Sequence, residues 1–136
     1  MPAFTIVLDI PAGTPKSYPV SEYVDCVPGI LRRLTFFFPP GPQGEVGVRL
    51  CHNDNPIAPS RGGLWLAWDS GAVVIDVSYP LLVNDVRLYL VGHAEGAVFK
   101  HSVSVLCEVD TSEIPAAASP ILNVIDRVGR LLGTQE

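Results

Sequence analysis

The side chains best suited to hold a metal are His52, His93 and His101, together with Cys51 and Cys107; Cys26 is the third cysteine. Cysteine and histidine are the usual zinc ligands, but such sites draw on local pairs such as CxxC or HxxxH, and no such pair occurs here. Cys51 and His52 are adjacent, so on a strand they point to opposite faces. The histidines therefore read as loop-end groups and the cysteines as reduced, buried thiols, with His101 capping the end of a core row. The run His52-Asn53-Asp54-Asn55 is oxygen-rich, yet it lacks the alternating ligands and downstream acid of a calcium loop, and turn chemistry accounts for it. A nucleophilic serine or cysteine would need a histidine base and an orienting carboxylate. No GxSxG elbow is present, and Gly41-Pro42-Gln43-Gly44 is a proline-stiffened turn, not a phosphate-binding loop. The expectation is no catalytic residue, no cofactor and no metal. The remaining candidates are aromatic: Trp65, Trp68, Tyr79 and Tyr89 could stack on a flat apolar ligand face. Trp65 and Trp68 differ in strand parity, so at most one of them faces any given platform.

The elements that must position these residues read as strands, because apolar residues recur at period two between Pro, Gly, Asn and Asp punctuation. Residues 3–10 put Phe4, Ile6, Leu8 and Ile10 on one face. A second segment carries Tyr18, Val20 and Val24, and Pro19, which cannot donate to a ladder, pushes it to a sheet edge. Residues 29–38 align Ile30, Leu34, Phe36 and Phe38, with Arg32 breaking the parity. Residues 45–51 set Val46, Val48 and Leu50 inward and Glu45 and Arg49 outward. The stretch from His52 to Gly63 is rich in turn formers and reads as a long surface loop. Leu64–Trp68 reads as a short strand, Asp69-Ser70-Gly71 as a tight hairpin, and 72–78 as a strand with Val73, Ile75 and Val77 inward. Residues 85–91 repeat the pattern with Val86, Leu88 and Leu90. The last strand, 101–109, aligns Val103, Val105, Cys107 and Val109, with Leu106 outward.

About eight strands with no helical period between them fit an all-β fold, an antiparallel two-sheet sandwich or jelly-roll, over residues 1–112. Residues 113–118 form an Ala/Pro spacer. A C-terminal amphipathic α-helix is expected over 119–133, with Ser119 as N-cap, Pro120 at the first helical position and Gly133 closing it. Its apolar stripe, Ile121, Val124, Ile125, Val128, Leu131 and Leu132, recurs at helical spacing, and Asn123, Asp126, Arg127 and Arg130 take the other face. A helix this short is marginal alone, so the stripe must pack on something. Its own sandwich, a neighbouring subunit and, with only two basic residues on the polar face, a membrane surface are the three possibilities.

Composition narrows the partners. Apolar residues make up 48% of the 136-residue chain and charged residues 17%, below the roughly 25% typical of soluble domains. A chain so poor in charge is expected to bury apolar surface against copies of itself or other subunits. The net charge of −5 repels phosphate backbones, which argues against nucleic acid. The N-terminal residues lack the basic start of a signal peptide, and no apolar run approaches a membrane span.

The segments IPAGTPKSYPV, FFFPPGPQGEVGVRL, PSRGGLWLAWDSG and FKHSVSVLCEV together resemble small β-sandwich accessory proteins of tailed bacteriophage virions, over roughly residues 5–109. That resemblance implies a non-enzymatic virion component made in the host cytoplasm, a capsid decoration or cement protein or a tail or fibre accessory, working as a homo-oligomer. It carries over no binding residues. On the residues alone, the expected function is a structural protein of an assembly such as a capsid or tail, docking through the 119–133 stripe. The alternative is a glycan- or receptor-binding module that uses Trp65 or Trp68.

Overall fold

The computed structural model describes residues 1–41 and 45–112. The alternating segments form nine strands: β1 (Ala3–Ile10), β2 (Val20–Asp25), β3 (Gly29–Phe38), β4 (Gly47–His52), β5 (Asn55–Ala58), β6 (Leu66–Ala67), β7 (Gly71–Leu81), β8 (Arg87–His93) and β9 (His101–Asp110). They build two antiparallel sheets. The first has the order β1-β9-β3-β7; the second has β2-β8-β4-β5, with β6 sharing the far side of β4. Apart from the β4–β5–β6 run, every link between consecutive strands carries the chain from one sheet to the other.

This crossing explains how the period-two pattern becomes one core. Ile6, Leu8 and Ile10 of β1, Val103, Val105, Cys107 and Val109 of β9, and Leu34, Phe36 and Phe38 of β3 form the inner rows of the first sheet. They meet Val48 and Leu50 of β4 and Leu88 and Leu90 of β8. Each fully buried Leu, Ile, Val or Phe contributes about 1.5–3 kcal/mol relative to exposure, so these rows dominate the stability. The sheets approach so closely at Gly92 that a Cβ there would lie 2.7 Å from Ile10 Cδ1 and 2.8 Å from Leu8 Cδ2.

Several expectations change at particular residues. Leu31, not Ile30, joins the inner row of β3, because the register shifts between Leu31 and Arg33 and the extra residue is absorbed there. The parity break at Arg32 is that bulge. Tyr18 lies ahead of β2 and is 81% exposed, while β2 itself is an edge strand as Pro19 suggests. The stretch 52–63 is not a surface loop throughout. His52 ends β4 and is buried, and Asn55–Ala58 pairs with β4, burying Ile57 and Ala58. Apolar side chains at those two positions outweigh the turn-forming composition around them. Only Leu66–Ala67 of the 64–68 segment is strand. Asp69-Ser70-Gly71 is not a hairpin turn, since β6 pairs with β4 and β7 with β3, and the turn carries the chain between sheets. Cys26 and Cys107 are buried but Cys51 is only half-buried, on the outer face of the second sheet. The spacer 113–118 and the segment 119–133, with all six residues of its apolar stripe, lie outside the described residues.

Candidate functional site

Strand pairing places three distinct surfaces on this frame. On the outer face of the first sheet, the register aligns Val7, Ser104, Phe37 and Ala72 in one cross-strand row and Thr5, Leu106, Thr35 and Val74 in the next. Neither row contains a charge. Val7, Phe37 and Val74 are 56%, 45% and 57% exposed, an unusual density of apolar groups for a solvated sheet face. Charges appear only at its borders. Glu108, Arg33 and Asp76 lie in the following row, with Arg33 Nε 3.2 Å from Asp76 Oδ1, and Asp9 at the other end accepts a hydrogen bond from the Ser102 hydroxyl.

The flanks of that sheet are β1, eight residues long, and β7, the longer at eleven; among the described residues no strand pairs with the outer edge of β7. Its inner row, Val73, Ile75, Val77 and Tyr79, packs on the core but is only half-buried, because the opposing flank of the second sheet consists of the short strands β5 and β6. Edge strands are commonly blunted by charge, brevity or proline. The outer edge strand of the second sheet, β2, is so treated: it has six residues and carries Glu22 and Asp25. β7 has Asp76 alone as a charge, already engaged by Arg33, and Pro80 only near its end.

The outer face of the second sheet is aromatic and cationic. Arg87 of β8 clamps Asp25 of β2 through Nε and Nη2 at 2.8 and 3.0 Å, and its guanidinium lies 4.0 Å from the centre of the Tyr23 ring. The Arg87 hydrogen bond holds the Asp25 carboxyl below the usual carboxylate range. One strand over, Arg49 lies 4.0 Å above the Trp65 ring, and Trp65 meets the His93 ring edge-on at 4.5 Å. Gly47 makes this stack possible, since a Cβ there would fall 2.5 Å from His93 Nε2 and 2.9 Å from Trp65 Cβ. Burial foremost, then the Lys16 charge, lowers the His93 pKa, so its ring is neutral near pH 7. Between the two stacks is an open depression of ≈ 590 Å³, with Tyr89 and Val91 along β8 and Ser21, Arg49 and Asp54 among its polar lining. A hydroxyl, a guanidinium and a carboxylate beside an aromatic ring suit a polar, hydroxyl-bearing ligand.

The two tryptophans are separated. Trp65 is half-buried between Arg49 and His93, whereas Trp68 is 53% exposed beside the turn into β7. The two rings lie on different surfaces, but both residues flank the two-residue strand β6 and are not part of it, so strand parity does not account for their separation. Trp68 belongs to an end of the molecule where loops are tied together. Gly13 N–H donates to Ala94 O and Ala94 N–H to Thr14 O, both at 3.0 Å, and Ser70 N–H donates to Pro39 O at 3.3 Å. Tyr18, Val98 and Phe99 are exposed on these loops.

The histidines take structural positions. His52 bridges Tyr79 and Asp85, His93 packs on Trp65, and His101 is half-buried at the start of β9. Among the described residues, no group of three or more His, Cys, Asp or Glu side chains is placed to hold a metal ion. Sequence reasoning missed the outer face of the second sheet. Its signal was present in RLYLV, where Arg87, Tyr89 and Val91 share the outward parity, but only pairing with β2 and β4 assembles Tyr23 and Arg49 around them.

Compared with known proteins, the chain matches no family model and no curated protein.

Proposed function

We propose that this chain is a non-enzymatic structural component of a larger assembly, a virion component such as a capsid decoration or a tail or fibre accessory. In this reading it associates with copies of itself along the open flank of its first sheet and docks through residues 119–133. The observation that carries the proposal is β7, a long edge strand with one already-paired charge over most of its length and a half-covered apolar inner row. Such an edge offers backbone donors and acceptors to another strand, and pairing two copies across a two-fold axis would satisfy both edges at once.

The strand order supports the same reading by analogy. The orders β1-β9-β3-β7 and β2-β8-β4-β5 correspond to the two interleaved Greek keys of a jelly-roll, an architecture used in viral capsid domains. Fold alone does not fix function, and lectin domains also use it. The test is light scattering coupled to size exclusion, across a concentration series of the full chain. A mass above that of one chain, rising with concentration, is expected; a single-chain mass throughout would sink the proposal.

A second reading, a glycan- or receptor-binding module, is favoured by the depression beside Arg49 and Tyr89. It expects amide shifts confined to β2, β4 and β8 on titration with oligosaccharides, and an array with no signal would count against it.

A further inference from the structure

We propose that the outer face of the first sheet is the acceptor for this chain's own residues 119–132, closed within one copy in dilute protein and exchanged between copies where they are crowded. The exchange rests on the self-association proposed above; the acceptor face does not.

The first argument is chemical fit. The rows Val7–Ser104–Phe37–Ala72 and Thr5–Leu106–Thr35–Val74 form an uncharged band across all four strands. The sequence of 119–132 carries Ile121, Val124, Ile125, Val128, Leu131 and Leu132 at helical spacing, and a helix of that length is marginal in water without a surface to cover its stripe. The second sheet is a poorer acceptor, because Arg49, Arg87 and Asp25 occupy its outer face.

The second argument is reach. β9, from whose end the segment continues, lies inside the first sheet, next to both β1 and β3. Leu106 is four residues back along β9 from Asp110, about 13 Å at strand spacing. Residues 111–118 span up to about 26 Å when extended, enough to turn back over the face. Fourteen residues would measure about 20 Å as a helix, and four strands measure about 14 Å across, so a stripe at that spacing can cross the whole band. A short tether gives an effective concentration in the mM range. Dilute protein therefore closes on itself, and exchange requires crowding.

The test uses the full chain with Cys51→Ser, so that the half-buried thiol does not react. A Val74→Cys/Val128→Cys pair is compared with Ser21→Cys/Val128→Cys, which offers the second sheet instead, by bismaleimide cross-linking of mixed isotope-labelled and unlabelled copies. Both acceptor positions are exposed, so folding is not at stake. At low concentration the Val74 pair should link within one chain severalfold more than the Ser21 pair, and adding Ile125→Asp should abolish the difference. Equal yields, or more linking at Ser21, would overturn the acceptor face. As concentration rises, links between labelled and unlabelled copies should grow. A Val74 link confined to single chains at every concentration would overturn the exchange, and with it the docking half of the proposed function.

Discussion

The imidazole of His52 joins the two sheets through Tyr79. Its Nδ1 lies 2.8 Å from the Tyr79 hydroxyl, and its Nε2 lies 3.0 Å from both the carbonyl oxygen and Oδ1 of Asp85. The Asp85 carbonyl and carboxylate oxygens accept, so Nε2 carries a proton, and in the singly protonated ring Nδ1 accepts from the Tyr79 O–H. One buried side chain at the end of β4 thereby fixes the far end of β7 and the turn before β8.

Tyr79→Phe keeps the ring packing but leaves buried Nδ1 without its donor. The expected loss is about 1–3 kcal/mol, read by urea unfolding. Val83→Ala, in the same turn but 45% exposed, should change stability by no more than about 0.5 kcal/mol. An unchanged Tyr79→Phe midpoint would show that the bridge is not made in solution.

Gly92→Ala should destabilise by about 1–3 kcal/mol through overpacking, because its Cβ would meet Ile10 and Leu8 of the opposite sheet. Those contacts are side-chain ends, so Leu8→Val should recover part of the loss. A double-mutant cycle in thermal unfolding checks this, and strict additivity would contradict the close approach.

Burial pushes the Cys26 and Cys107 thiols up to about 12, with the Asp25 charge adding to the first and Cys26 to the second. Both therefore stay protonated in the native state where an unfolded thiol, near 8.5, ionises. The stabilisation is fully present below that unfolded value and is lost as pH rises toward about 12. Urea midpoints should be flat in this respect up to pH 8 and fall from pH 9 to 10. In native protein at pH 8, a thiol reagent should label Cys51 first and the other two only on unfolding.

Replacing Ala72 and Val74 together by lysine places like charges on the free flank of the first sheet, where a second copy would place its own. Both positions are exposed among the described residues, so the sandwich itself should shift by about 0.5 kcal/mol or less per site, while the contact proposed between this face and residues 119–132 is weakened as well. The self-associated mass should fall to that of one chain. If the lysine variant associates as the parent does, β7 is not the contact.

Much of the frame was legible in the residues. Alternation at 3–10, 45–51 and 101–109 assigned the inner rows correctly, because a strand has only two faces and a one-residue slip exchanges them. It failed at Arg32, where a bulge inserts a residue that periodicity cannot count, and at Asn55–Ala58, where a four-residue strand is too short for alternation to stand out from turn composition. Asp69-Ser70-Gly71 looked like a hairpin because local turn chemistry is the same whether the next strand returns to its neighbour or crosses to the other sheet.

Outside the bulge at Arg32 and the short strand β5, the sequence by itself determined which side chains face inward, since that depends on period two and on the free energy of burying apolar area. Only the tertiary structure decided which strands are neighbours. That choice turns scattered outward residues into surfaces: Val7, Phe37, Leu106 and Val74 become one uncharged band, Tyr23, Arg49 and Tyr89 gather on the opposite sheet, and β7 is left, among the described strands, at the edge of the first. The physical reason is that pairing between distant strands is set by closing one shared core, and no local stretch of sequence carries that information.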